Sequence, residues 1–359
     1  MKYFNHTLPH GGKLLFVKNK ISKTTLINIK FDCGARVDTI AGLSHFVEHM
    51  FFTGTDKLSK EEVNKKYFDF RQVNASTNTS RIGFDGNIFT HELKNYLAMV
   101  CEMITKSTFD KTAVEKEIPV VTQEIVRSRD KYRKHFTMLS NYNLYGLDCY
   151  KNTTLGNEKS VGSITSKDVK DYVNKWFVAE NLEVYVSSPL PFNKVKKLVV
   201  EELESKLSTN EKFEKLELFN PDVVSDDFYV VKKEKIDKCY ISVNFTFDRN
   251  YKEIEYVQKA YVMRSMMNDY AEGIMKDMRL NKSLVYGGGF SSAFNINNSS
   301  ITFETDCEEK NVNEVLKTLA DYIKGILKTG FTEELLKKTL ENEDYKEAIE
   351  EPRTSKFFF

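Results

Sequence analysis

An α+β fold of two related units is what the sequence predicts, each unit an antiparallel-type sheet with helices packed on one face, the second unit shortened. Three observations predict it. Short runs rich in β-branched and aromatic residues alternate with longer amphipathic stretches, and they do so in the same order twice. The stretch CEMITKSTFDKTAVEKE at 101–117 has a counterpart in DYIKGILKTGFTEELLK at 321–337, each one helix, a short break at Phe109 or Phe331, and a second helix. A chain of 359 residues is also long enough to bury two cores.

The elements follow in order. Residues 13–18 (KLLFVK) and 25–32 (TLINIKFD) read as strands. A helix is expected from Gly42 to Phe52 and another from Ser59 to Phe70, where Ser59 and Glu62 have capping-box spacing. Alternation and turn residues at 73–90 predict strands, and helical patterns follow at 92–108 and 111–140. Pro119 lies inside the latter, where a missing amide donor predicts a kink. The second set comprises a strand at 239–247, a helix at 253–278, strands within 284–306, and helices at 311–328 and 332–350 broken by Gly330. The charged run at 204–217 and Pro221 mark a linker, so the expected division is 1–205, a linker at 206–225, and 226–359.

Composition excludes several classes of function. The 53 basic and 52 acidic residues leave a net charge of +1, so no electrostatic excess selects nucleic acid or an anionic membrane as a partner. The N-terminus lacks a basic segment followed by an apolar run, and no stretch approaches the roughly 20 apolar residues of a membrane span. A cytoplasmic protein is expected. Cys33, Cys101, Cys149, Cys239 and Cys307 form no CxxC pair, so reduced and mostly buried thiols are expected rather than a disulfide framework.

One short motif carries chemistry. Residues 45–49 read His-Phe-Val-Glu-His. On a helix, His45 and His49 share a face and can hold one metal ion, while Glu48 projects beside them. Imidazole suits zinc, a catalytic zinc keeps an open position for water, and Glu48 is placed to take a proton from that water. The helix at 111–140 offers Glu117 and Glu124, seven residues apart on nearly one face. Either could supply a third ligand while the other orients a histidine. All six histidines lie at or before residue 135, so a histidine-based metal site belongs to the first unit.

Gly34-Ala35-Arg36, Gly42-Leu43-Ser44-His45-Phe46-Val47-Glu48-His49-Met50, Phe52 and Gly54-Thr55, in that order after a strand, resemble the pitrilysin-type (M16, inverzincin) zinc metallopeptidases. The resemblance implies that Glu124, 75 residues beyond His49, is the third zinc ligand and that Glu117 supports the site. It implies that Asn74, Ala75 and Thr77 lie on a strand that binds substrate backbone, although Phe70-Arg71-Gln72-Val73 stands where the family has a Gly-Gly pair. It further implies that Arg279 and Tyr286 of the second unit stabilise the oxyanion as it forms.

The expected function is a zinc-dependent endopeptidase acting on short or unfolded peptides, with Glu48 as general base for a water that the metal activates. A homodimer or a second M16-like chain is the partner that the resemblance implies. A non-catalytic scaffold or substrate-binding subunit is the alternative. Such relatives usually lack a motif residue, whereas His45, Glu48, His49 and Glu124 are all present.

Overall fold

The computed structural model of the protein describes residues 3–129, 132–146, 154–217, 238–247, 254–294 and 299–350. These fall into two compact units. One contains the chain up to His135 together with 154–217, and the other contains 136–146 together with the described residues beyond 237. Of the stretch expected as a linker, 218–225 lies outside the described residues, whereas 206–217 packs on the first unit. Leu207 is buried, Ser208 bridges Val178, and Phe213 meets Trp176 edge-on.

The first unit begins with strands β1 (Tyr3–Thr7), β2 (Lys13–Lys18) and β3 (Thr24–Phe31), then helices α1 (Leu43–Met50) and α2 (Lys60–Phe68). Strands β4 (Gln72–Thr77) and β5 (Ile82–Phe89) follow, then helices α3 (Leu93–Lys106) and α4 (Lys111–Arg129), and then α5 (Tyr132–Tyr145), which belongs to the second unit from Phe136 onward. The series ends with α6 (Glu158–Val161), α7 (Ser166–Trp176), β6 (Leu182–Ser188) and α8 (Phe192–Glu202). The six strands form one sheet in the order β1-β2-β6-β3-β5-β4. Its neighbours are antiparallel except β2 and β6, which run parallel.

Period-2 alternation divides this sheet into two faces. Phe16, Ile27, Ile29, Phe31, Phe84, Val184 and Val186 point into the core, while Lys30, Asp85, Glu183 and Tyr185 occupy the other face. Helices α1, α2, α3 and α8 pack against the apolar face, as expected for a sheet covered on one side. Each buried aliphatic or phenyl side chain contributes about 1.5–3 kcal/mol. The capping box forms as read: Ser59 accepts from the Glu62 amide, and Glu62 accepts from the Ser59 amide. Helix α4 continues through Pro119, because the proline removes only one amide donor from a helix anchored on both sides. Its start is set by Asp110, whose carboxylate accepts from the Ala113 amide.

Among its described residues the second unit has three strands, β7 (Cys239–Phe247), β8 (Val285–Phe294) and β9 (Ser299–Cys307), in the antiparallel order β7-β9-β8. It also contains helices α9 (Ile254–Met267), α10 (Val312–Thr329) and α11 (Glu333–Glu350), together with the part of α5 from Phe136 onward. Phe290, Phe303, Ile301, Ile274, Met278, Val315 and Leu319 form its core. The expected continuous helix at 253–278 is corrected: α9 ends at Met267, and a π-helical turn occupies Lys276–Asn281. Just past the end of α9, the Asn268 side-chain amide donates to the Phe290 carbonyl and its side-chain oxygen accepts the Phe290 amide, both at 2.7 Å, which ties this end of the helix to β8. Gly289 makes the approach possible, since a Cβ there would sit 2.7 Å from Asn268 Oδ1.

Among the described residues, no helix is long and apolar enough to cross a membrane. Cys33, Cys101 and Cys307 are buried and Cys239 is half-buried, all as free thiols; Cys149 lies outside the described residues.

Candidate metal centre and active site

Helix α1 is fixed at its N-terminus before it presents any functional group. Gly42 sits at φ 90°, and a Cβ there would meet the Leu155 carbonyl oxygen at 2.5 Å. Only glycine combines that backbone with that approach. The Asp38 carboxylate accepts from the Gly42 amide (3.2 Å), the Ser44 amide (2.9 Å) and the Ser44 hydroxyl (3.0 Å), so it satisfies donors at the helix start. The Gly34-Ala35-Arg36 segment is likewise held by close approach. Its three amides donate to the Ser80, Asn78 and Thr79 carbonyls, and a Cβ on residue 34 would lie 2.1 Å from the Asn78 oxygen.

From this helix His45 and His49 project together, their ring centroids 4.7 Å apart. Glu124 Oε2 on α4 stands 3.6 Å from His45 Nε2 and 3.4 Å from His49 Nε2. One donor atom from each of the three residues fits within 4.8 Å of the others. These separations exceed the 2.7–3.2 Å expected of a direct N–H···O bond. They match the roughly 3.4 Å edge of a tetrahedron whose donors lie about 2.0–2.2 Å from a central zinc. Two imidazoles and one carboxylate therefore fit a divalent metal ion with a position to spare, and Glu124 leaves the cluster accessible to solvent.

The groups around this cluster complete the geometry. His49 Nδ1 lies 3.1 Å from Glu117 Oε1. A carboxylate only accepts, so Nδ1 carries the proton and the Nε2 lone pair faces Glu124. Glu117 is buried, and its second oxygen accepts from Lys60 Nζ at 2.7 Å. Burial alone would raise the Glu117 pKa, but the bonds to His49 and Lys60 bring it below the ordinary carboxylate value. For His49, burial opposes the charged form, yet Glu117, Glu48 and Glu124 together raise its pKa. Pro119 does not separate the two glutamates, since both reach His49.

Glu48 is largely buried, and burial raises its pKa against the lowering effects of the Thr77 hydrogen bond and His49. Thr77 Oγ1 donates to Glu48 Oε2 at 2.5 Å. Asn74, Ala75 and Thr77 all lie on β4, an outer strand of the sheet among the described strands. The Thr77 hydroxyl faces Glu48. Arg71, where the resemblance expects glycine, adopts φ 74° and keeps a backbone form that glycine would take without strain. Its guanidinium lies over the Phe89 ring and 3.3 Å from Glu92.

In the second unit, Arg279 lies on the π-helical turn and its guanidinium stands 4.9 Å from the centroid of the Tyr286 ring. Tyr286 is 81% exposed and falls in an irregularity of β8 between Val285 and Gly288. Sequence reasoning missed Lys60, the donor role of Thr77, and the π-helical turn. No local signal marks Lys60, which meets Glu117 only through the fold.

The family model described as insulinase (peptidase family M16) matches residues 13–158, and the model described as peptidase M16 inactive domain matches 163–343. The chain belongs to peptidase family M16. Among curated M16 relatives, the uncharacterized zinc protease YmxG of Bacillus subtilis (strain 168) is 26% identical over 185 residues, covering 51% of this chain and 45% of its own. The mitochondrial-processing peptidase subunit beta of Saccharomyces cerevisiae is also 26% identical over 185 residues, covering 49% of this chain and 38% of its own. The chain thus spans less than half the length of these curated relatives. A protease from Helicobacter pylori has the same fold, with a TM-score of 0.81 at 18% identity over 99% of this chain and 86% of that one. Pitrilysin superposes with a TM-score of 0.70 at 18% identity, over 93% of this chain and 37% of that chain.

Proposed function

We propose that this chain is a zinc-dependent endopeptidase for short or unfolded peptides. The observation that carries the reading is the convergence of His45, His49 and Glu124 within 4.8 Å, with Glu48 beside them. Zinc, when bound, acidifies a water and polarises the substrate carbonyl. Glu48 takes the proton of the attacking water and returns it to the leaving amine, and Thr77 holds its carboxylate in place. Glu117, braced by Lys60, keeps His49 in the tautomer that offers Nε2. Substrate adds as a strand beside β4 at Asn74 and Ala75, in the manner of β-augmentation. Arg279 and Tyr286 are assigned to the oxyanion, supported by their mutual stacking and the exposure of the tyrosine. A second M16-like chain or a second copy is the proposed partner, in keeping with the naming of the yeast relative as a subunit.

The decisive experiment pairs zinc analysis with cleavage of an unstructured peptide library. About one zinc per chain and cleavage abolished by chelator are expected. Absence of zinc would sink the metal assignment, and zinc without cleavage, alone or with candidate partner chains, would favour the non-catalytic scaffold.

Two variants grade the supporting groups. Glu117→Gln should weaken zinc binding about 10–100-fold in chelator competition, because the amide supports His49 less strongly. Thr77→Val keeps the shape but removes the donor to Glu48, and should lower kcat about tenfold with zinc content unchanged. A Thr77→Val enzyme with unaltered kcat would return Thr77 to a purely structural role.

A further inference from the structure

Two cysteines that are 68 residues apart in sequence face each other across the second unit's sheet. Cys239 opens β7, Cys307 closes β9, and the antiparallel register makes them direct partners. Direct partners share a face, with Cα atoms about 4.5–5.5 Å apart. That separation lies inside the roughly 4.4–6.8 Å window of disulfides. The neighbouring Lys238–Asp306 ion pair, at 2.8 Å, ties the same strand ends together. Among the described cysteines the other two have no such opposite: Cys33 and Cys101 are buried in the first unit, where their thiols donate to the Phe31 and Leu203 carbonyls.

We propose that Cys239 and Cys307 form a modification site that a small-molecule disulfide converts into a cross-strand disulfide. Cys239 is half-buried, whereas Cys307 is only 5% exposed, so the reagent meets Cys239 first. Burial pushes the Cys307 thiol up to about 11 and the adjacent Cys239 adds to the effect, which keeps Cys307 from reacting alone. The Cys239 sulfur attacks one sulfur of RSSR, forming a mixed disulfide and releasing RSH. Cys307 then attacks the Cys239 sulfur of that adduct and releases the second RSH. Two protein thiols are oxidised to one disulfide and the reagent is reduced to two thiols.

The bond would pin β7, which among the described strands pairs with β9, to that strand. On its other side Cys307 pairs with Val285, immediately before the bulge that carries Tyr286, so the staple braces the strand opposite that residue.

The test uses the full chain, as it is and with Cys149→Ser, incubated with oxidised glutathione under native conditions. Two thiols per chain should disappear, a peptide map should join 239 to 307, and dithiothreitol should restore both thiols. The unfolding midpoint of the oxidised chain should rise by at least about 4 °C over the reduced chain. Cys239→Ala should abolish the loss of thiols, with circular dichroism checking its fold. A full thiol count after oxidation, a glutathione adduct that persists on Cys239, or a bond to any other cysteine would overturn the proposal.

Discussion

Glu48→Gln should retain zinc and lose peptide hydrolysis by about 10²–10⁴-fold, the range that a positioned general base supplies. Glutamine keeps the size of the side chain and still meets the Thr77 hydroxyl through its carbonyl oxygen, so the helix and the three donors have no reason to move. What it cannot do is take a proton. The measurement is kcat/KM on a cleaved peptide with zinc determined on the same sample. A variant that lost its zinc would show that Glu48 builds the site as well as serving it. A variant that kept full activity would remove Glu48 from the chemistry.

Gly42→Ala should destabilise the protein by about 2–5 kcal/mol, measured as a shift in the denaturant midpoint at constant slope. Two costs combine. A left-handed backbone costs an L-residue roughly 1–2 kcal/mol, and forcing a methyl group against packed backbone costs about 1–3 kcal/mol. The new Cβ would meet Leu155 O at 2.5 Å, and Gly156 opposite is itself at φ 73° against Ala41, so neither strand of chain can retreat cheaply. Since α1 starts here, zinc affinity should fall along with stability. An unchanged midpoint would mean that the 154–156 segment moves aside.

The parts of the fold that were legible in the sequence are those specified locally. Strands at 13–18 and 239–247 match β2 and β7 residue for residue, because their alternation and flanking breakers are short-range signals. The Ser59–Glu62 box is likewise a four-residue device. What was not legible depends on partners distant in the chain. The side chain of Asn268, at the end of helix α9, meets the backbone of Phe290, and nothing near Asn268 announces that contact. Strand β6 goes unannounced for a similar reason, since its place between β2 and β3 joins the unit's end to its beginning. At the site, the spacing of His45, Glu48 and His49 follows from helical geometry alone. The choice between Glu117 and Glu124 does not. It is decided by which carboxylate meets Nε2 and which meets Nδ1, a matter of helix α4's placement.

Lys60 gives the site a definite charge account. Glu48, Glu117 and Glu124 contribute three negative charges when ionised, Lys60 returns one, and neutral histidines add none, leaving a deficit of two beside the metal position. A dication cancels that deficit in full, while a monovalent ion leaves half of it. The negative charge around His49 raises its pKa and so favours the protonated ring. A metal held through Nε2 would compete with that proton, so its apparent affinity should rise with pH.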